Sequence, residues 1–514
     1  MHVGVALLLV SVAAVLVIAA SPPELFGYAR FLVLPGLALF CYAVATTQRA
    51  VGAVLFFAAT YAAYAWSLRH VSLVGFLAIV FFAGLYGYLF ARLWLPVVTR
   101  SRALALPAFA AAFCLVEALR AHMPGMAYQH GQVAQSFHQM PALLAPARFV
   151  GEAGCNFLFA CIAAGLGGLA LGAVRTAALM VALPALVIAG AATWLTDLDA
   201  AGPPLSVALV QTMQPAYRDQ AYAERLRDPE ALYAHYAALA RDVPPCDLAL
   251  WPESALSGLF LVAGADEERQ VQSLGPLFGG ATSIVIGATR IDADTARDND
   301  QWPLAYRNVA YLLTHEAERA RVRIAGIHEK QRLVPLGEAI PFWLDWLRYF
   351  WPQHWRLAHG KVLDLPRLPD GRGIGVAICY ENCFQIHFAT EALRGAELFA
   401  VPSFEAWYRQ GAELDQMLAM TVLRAIETGR PIVRATSDGV SCAVDGMGRV
   451  SLQLARNEVG VATVFVQPRR GEPWSLRIGA VLPYFFALLL VVMTALARRH
   501  GWRGRSERPI LEQN

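Results

Sequence analysis

The feature that most restricts this chain is a series of long apolar runs in its first 195 residues. They lie near 3–20, 31–46, 51–67, 71–90, 104–119, 151–173 and 177–195, with short loops between them, and a last run covers 478–497. A bilayer core about 30 Å thick takes roughly 20 apolar residues of helix to cross. Backbone inside lipid must satisfy its own hydrogen bonds. The pattern predicts about eight transmembrane helices, seven within 1–195 and the eighth at 478–497. The first run has a cleavage-like "VIAAS", yet its "MHVG" start lacks the basic stretch of a signal peptide. A basic tail at 498–514 ("ARRHGWRGRSER") and Arg92, Arg100 and Arg102 in one loop mark the cytoplasmic side by the positive-inside rule. The large polar segment between the seventh and eighth runs is then expected outside the cytoplasm.

Charge is scarce enough to agree: 16% of the residues, where about 25% is ordinary for soluble chains. A net charge of +3 gives no footprint for nucleic acid. Eight cysteines in 514 residues make no disulfide scaffold. Of the 42 basic residues only two are lysine, Lys330 and Lys361. Lysine differs from arginine in being a compact charge with a tunable pKa.

Residues 203–470 read differently. Short β-rich runs recur at 205–211, 246–253, 283–290, 308–314, 373–381 and 397–403, with helical patterns at 219–241 and 413–429 between them. Strands alternating with helices predict an α/β layered domain with apolar central strands.

The chemistry-bearing residues fall at the ends of these runs. "LALWPES" closes on Glu253, "HEKQRLVPLGEAIP" carries Lys330 and Glu338, and "GVAICYE" ends in Cys379, Tyr380 and Glu381. Ligand sites of α/β sheets gather beyond the carboxyl ends of strands. A carboxylate can take the thiol proton, and an ammonium can steady the oxyanion that follows attack on a carbonyl. Singly, each residue reads as a surface acid, a solvated lysine or an inert thiol; together they read as a site. The histidines show no metal-binding spacing, and no phosphate loop or other cofactor motif is present. Cys379 with Cys383, or Cys246 with Cys442, could pair as disulfides.

"WPES", "K-x-x-LVPLGE-x-x-P" and "ICYE" closely resemble the nitrilase superfamily. With about seven spans before the domain and one after, the chain is similar to the apolipoprotein N-acyltransferase family of inner-membrane enzymes. "RAIETGRPIVRATSDGVS" at 424–441 and "CLVEALRAHMPG" at 114–125 carry the likeness further. The resemblance implies an α-β-β-α sandwich and no cofactor. It implies Glu253 as base, Lys330 as oxyanion donor, Cys379 as nucleophile, Glu338 and Glu381 as orienting acids, and Tyr380 at the pocket. It further implies a membrane phospholipid as acyl donor, a cysteine thioester, and the amine of a lipoprotein's diacylglyceryl-cysteine as acceptor, on the periplasmic side of the bacterial inner membrane.

The chain departs from the family at "SFEAWYRQG", 403–411, where Phe404 and Glu405 replace an Asn and an Asp, and at Met417, where a His is usual. These changes keep open a membrane-tethered amidase, an acyltransferase with another acceptor, or a non-catalytic module. The aromatic stretch at 341–357, with Phe342, Trp343, Trp346 and Trp351, suits a membrane interface. With Phe404 and Trp407 it forms a candidate lid, as does "SGLFLVAG" at 257–264.

Overall fold

The structure is a computed structural model. It describes residues 3–212, 229–253, 255, 260–264, 266–291, 306–316, 318, 321–349, 357–408, 411–456 and 458–506. Its first half is built of the helices α1 (Val3–Ala20), α2 (Val33–Thr47), α3 (Ala50–Tyr64), α4 (Leu73–Val98), α5 (Arg102–Ala121), α6 (Ala147–Ala170) and α7 (Val174–Trp194). Among the described residues six helical stretches are long and apolar enough to cross a membrane, and Gly4–Ala20 and Ala50–Tyr64 are shorter apolar helices. Ser72 and Ser101 start α4 and α5 by accepting the Gly75 and Leu104 amides on their hydroxyls, which satisfies donors that a helix start leaves open.

Lipid gives two apolar helices no hydrophobic reason to associate, so close packing must hold them. Gly87 of α4 lies so near α3 that an added Cβ would stand 2.5 Å from the Ala53 carbonyl oxygen. Phe40 stacks on Phe56 at 4.0 Å inside a group that includes Phe90 and Phe109. At one end of the bundle Arg102 donates to the Leu171 carbonyl, so the α4–α5 and α6–α7 turns meet there. The α/β domain packs on the opposite end.

That domain begins with β1 (Leu205–Gln211), α8 (Pro229–Ala240), β2 (Cys246–Leu250), β3 (Ala281–Ile291), β4 (Tyr306–Glu316) and β5 (Arg321–Glu329). It continues with β6 (Gly373–Val376), α9 (Gln385–Leu393), β7 (Ala396–Ser403), α10 (Glu413–Thr428), β8 (Ile432–Thr436), β9 (Cys442–Val444), β10 (Val450–Gln453) and β11 (Gly460–Val466). One sheet has the order β11-β1-β2-β3-β4-β5, with Phe260–Val262 added beside β3; the other is β10-β9-β8-β7-β6. The β1–β2–β3 and β6–β7–β8 cores are parallel, and the outer pairs are antiparallel.

Alternation along β1 explains the layers. Val207 and Leu209 join Leu248, Ile374, Leu398 and Val433 between the sheets. Ala208 and Val210 face the other way, onto Leu232 and Tyr236 of α8. On the far side of the second sheet, Phe399 packs with Phe388 of α9 and Val422 of α10, in an apolar cluster continuous with the bundle. The result is an α-β-β-α sandwich whose second helical layer rests on the bundle. The last long helix, α11 (Leu482–Ser506), packs against α5. α10 stops at Gly429, whose φ of 69° is one that an L side chain disfavours.

Two strands end earlier than the sequence expectation, and the first, expected over 246–253, stops at Leu250 and leaves Glu253 in the loop that follows. The strand expected over 373–381 ends at Val376, and Cys379–Cys383 forms a 3-10 turn. The run of thiol, phenol and carboxylate suits a turn better than a ladder, because each side chain can then leave in its own direction. All eight cysteines are free thiols, so neither open disulfide pairing is made.

Candidate active site

Four loops and one strand deliver this site: the loops after β2, β5, β6 and β7, and the start of β4. Lys330 follows directly on β5, and its Nζ is bound to Glu253 Oε1 at 2.9 Å and Glu338 Oε1 at 2.6 Å. Asn308 on β4 donates to Glu253 Oε1 at 2.6 Å. The Phe404 amide donates to Glu253 Oε2 at 2.9 Å, and the Val334 amide to Glu338 Oε2 at 2.8 Å. Lys330 is 1% exposed, whereas Lys361 lies in an exposed stretch, so the two lysines divide cleanly.

The Cys379 sulfur lies 3.8 Å from the Phe404 carbonyl. Its backbone φ is +50°, a left-handed conformation that costs a non-glycine residue about 1–3 kcal/mol and persists only where the surroundings enforce it. The enforcing group is Glu381. Its carboxylate accepts the Ile378 amide at 2.8 Å, the Gln331 amide at 2.7 Å and the Arg332 amide at 3.2 Å. It thereby ties the turn that carries the thiol to the segment that follows Lys330. Tyr380 donates to the Ala127 carbonyl in the α5–α6 loop, bracing the same turn against the bundle.

Electrostatics give the groups different protonation states. Burial pushes the Cys379 thiol up to about 12, and Glu253 adds to the rise while Lys330 opposes it. The thiol therefore rests neutral. Burial disfavours the Lys330 ammonium, but the two carboxylates outweigh it and hold its pKa well above the ordinary value. Burial raises the Glu338 carboxyl, against the pull of Lys330. Burial works against the Glu381 carboxylate too, yet the nearby His328 and His387 hold it far below the usual range.

Asn308, His328 and His387 were not singled out by sequence reasoning. Asn308 directly precedes the apolar run Val309–Leu313, which was the available signal. His328, Glu381 and His387 offer ligand atoms within 4.8 Å of one another. Their bonds are committed, however: His328 Nε2 meets Glu381 Oε2 at 2.8 Å and His387 Nε2 meets the Val376 carbonyl at 2.7 Å. This group reads as a brace beneath the thiol turn.

The departures from the family pattern look milder in three dimensions. Phe404 meets Glu253 and Cys379 through its main chain, so those contacts do not depend on its side-chain type. Glu405 is buried on Arg434. Met417 packs its sulfur on Cys383 at 3.6 Å. Of the lid candidates, Phe342 and Trp346 are exposed, while Trp343 donates to the Pro124 carbonyl and meets Phe82 of α4 edge-on at 6.1 Å. Trp351, the Trp407 side chain and residues 256–259 lie outside the described residues.

Fold and site define a class: a multi-pass membrane protein with a sandwich domain that buries an acid–amine–acid cluster beside a thiol. Residues 206–475 match the family model for carbon–nitrogen hydrolases, and the chain belongs to that family. Residues 13–165 match the apolipoprotein N-acyltransferase N-terminal domain. The chain is 29% identical to the apolipoprotein N-acyltransferase of Shewanella oneidensis over 68% of this chain and 66% of that one. For that of Geobacter metallireducens the figures are 28%, 58% and 54%; for that of Haemophilus ducreyi they are 24%, 83% and 82%. The first two matches thus span between about half and two thirds of those relatives' length. A solved carbon–nitrogen hydrolase from Helicobacter pylori superposes with a TM-score of 0.37 at 13% identity, over 56% of this chain and 94% of that one.

Proposed function

We propose that this protein transfers an acyl chain from a membrane phospholipid, through a thioester on Cys379, to the N-terminal amine of the diacylglyceryl-cysteine of lipoproteins. The observation that carries this reading is the placement of Cys379, on an enforced left-handed turn within charge reach of Lys330 and Glu253, at the seam with a membrane bundle. The relatives' names and the match in the membrane half support the choice of substrates.

Because the thiol rests neutral, attack is coupled to proton removal. Glu253 takes the Cys379 proton as sulfur adds to the ester carbonyl, and the Lys330 ammonium donates to the oxyanion. Collapse breaks the ester C–O bond. The departing glycerol oxygen takes the proton from Glu253 and leaves as a lysophospholipid. The acceptor amine then adds to the thioester, the C–N bond forms, the C–S bond breaks, and the surplus amine proton goes to the site's acids. Glu338 keeps Lys330 charged through both halves, and Glu381 holds the turn.

Seating the thioester against lipid limits its loss to water. Phe342 and Trp346 are the lid's exposed lipid-facing groups, and Trp343 is its tether to the bundle. The turns that carry Arg100, Arg102 and Arg175 lie at the end of the bundle away from the site. By the positive-inside rule this supports a site on the extracytoplasmic face of the inner membrane. The test is trapping: purified protein incubated with phospholipid radiolabelled in its acyl chain should carry label in a hydroxylamine-sensitive bond, and Cys379→Ala should carry none. A labelled Cys379→Ala protein refutes the reading.

A further inference from the structure

Beside this site lies a second polar group that the mechanism above does not use. Glu413 opens α10 and is 1% exposed. Its Oε2 accepts from the Ser67 hydroxyl in the α3–α4 connection, while its buried Oε1 has no hydrogen-bond partner among the described residues. The Tyr128 hydroxyl, from the α5–α6 loop, is likewise buried without a partner among the described residues. The charge of Glu413 acts on that phenol. One turn along α10, Gln416 Oε1 accepts from His130 Nδ1 at 2.8 Å, and its buried Nε2 has no partner among the described residues. Buried polar groups are nearly always paired in a native interior, and these three lie together: Tyr128 stacks on His130 at 4.9 Å, and His130 holds Gln416. Tyr408 links them to the thiol, because its half-buried phenol is acted on by both Cys379 and Glu413.

The set has a defined chemistry. A carboxylate oxygen and a phenol oxygen accept hydrogen bonds, and an amide NH2 donates one. An ammonium next to a carbonyl, the terminus of an α-amino acid derivative, matches that pattern.

We propose that Glu413, Tyr128 and Gln416 form the recess that receives the acceptor's amino terminus, with Glu413 Oε1 taking one proton from its ammonium before attack. This rests on the thioester reading above. In the step, R–NH3+ gives a proton to the Glu413 carboxylate and becomes the free amine. The amine adds to the thioester carbon, the C–S bond breaks, and the second amine proton leaves with the Cys379 sulfur or to Glu253.

The groups that face Glu413 are Ser67 and the Leu68 backbone from the bundle, Tyr128 from the α5–α6 loop and Tyr408 before α10. On its own helix Asp415 is engaged by Arg456. Among the described residues no cation pairs with Glu413. Burial accordingly pushes its carboxyl up to about 7, with the Ser67 hydrogen bond opposing. A group at that position exchanges protons readily with an α-amine of ordinary pKa about 7.7–8.0.

The experiment forms the acyl-enzyme from radiolabelled phosphatidylethanolamine in detergent with the full chain, then follows its decay at pH 7 with two nucleophiles. One is a diacylglyceryl-cysteine peptide, whose amine arrives mostly protonated. The other is hydroxylamine, which is neutral at that pH and needs no base. Glu413→Gln should form the acyl-enzyme normally and react with hydroxylamine at the wild-type rate, yet pass the acyl chain to the peptide about 100-fold more slowly. Its transfer rate should rise only as the peptide's own amine deprotonates, whereas Glu413→Asp should recover part of the neutral-pH rate. Tyr128→Phe, nearly the same shape, should raise KM for the peptide several-fold and leave acylation alone.

Equal rates with both nucleophiles in wild type and Glu413→Gln overturn the assignment. So does loss of acylation in both Glu413→Gln and Tyr128→Phe, which would put these residues in the first step or the fold. A wild-type protein that forms no acyl-enzyme refutes the thioester reading itself, and this assignment with it.

Discussion

Two buried cations in this molecule are each clamped between two carboxylates. Lys330 lies between Glu253 and Glu338; Arg424 lies between Glu152 of α6 and Glu427 of its own helix, at 2.8 and 2.7 Å. The charge arithmetic is the same, and both cations are about 1% exposed. What surrounds them differs. Beside Lys330 stands a thiol on a strained turn. Beside Arg424 the thiol is Cys383, which packs on the Met417 sulfur at 3.6 Å and has no carboxylate–ammonium pair like that beside Cys379; Arg424 Nη1 donates to the Cys383 carbonyl, and nearby Arg148 of α6 donates to the carbonyls of Ile426 and Gly446. The planar fork of Arg424 stitches a membrane helix to the α/β domain. The compact ammonium of Lys330 spends two donors on carboxylates, and the proposed mechanism uses the third on the oxyanion. Buried charge alone therefore does not mark a site; a reactant held next to it does.

The comparison predicts separable failures. The largest is structural. Arg424→Met leaves Glu152 and Glu427 facing one another, a loss of about 3–5 kcal/mol of stability, read by thermal or denaturant unfolding in detergent. Acyl-enzyme formed per folded molecule should change little. The loss should be smaller at pH 6 than at pH 8. Burial already pushes the Glu427 carboxyl up to about 7 with Arg424 present. A folded-state pKa above the unfolded one favours folding as the pH drops through it, and removing the cation raises it further.

Next comes Lys330→Arg, expected to slow acyl-enzyme formation by about 10²–10³-fold, with a smaller melting shift than Arg424→Met. A fork cannot occupy the gap between Glu253 and Glu338 and still reach the oxyanion. If the two variants lost stability and acylation in the same proportion, the distinction between brace and site would fail. The smallest effect is Trp343→Ala, which cuts the proposed lid's contacts with Pro124 and Phe82. It should raise KM for phospholipid about fivefold, as expected for roughly 1 kcal/mol of aromatic contact, and leave kcat near normal. An unchanged KM would remove the lid from lipid capture.

Much of the architecture was legible because it is written locally. Apolar runs of helical length announce a membrane bundle, and strands such as Val207–Val210, apolar on both faces, announce sheets covered on both sides. The strand that ends early at Val376 was misread because the apolar Ala377 and Ile378 carry the β pattern onward. What stops the strand there is a distant demand, the Glu381 carboxylate reaching the Ile378, Gln331 and Arg332 amides at once.

By itself the sequence determined the class of fold and singled out the residues proposed for acyl chemistry, since periodicity, composition and short motifs are properties of neighbouring residues. Only the tertiary structure decided which acids share Lys330, that the Cys379 thiol rests protonated, and that Glu413 was left with an oxygen unpaired beside it. Those outcomes depend on burial and on contacts between residues tens to hundreds of positions apart. Neither is a function of any local stretch of chain.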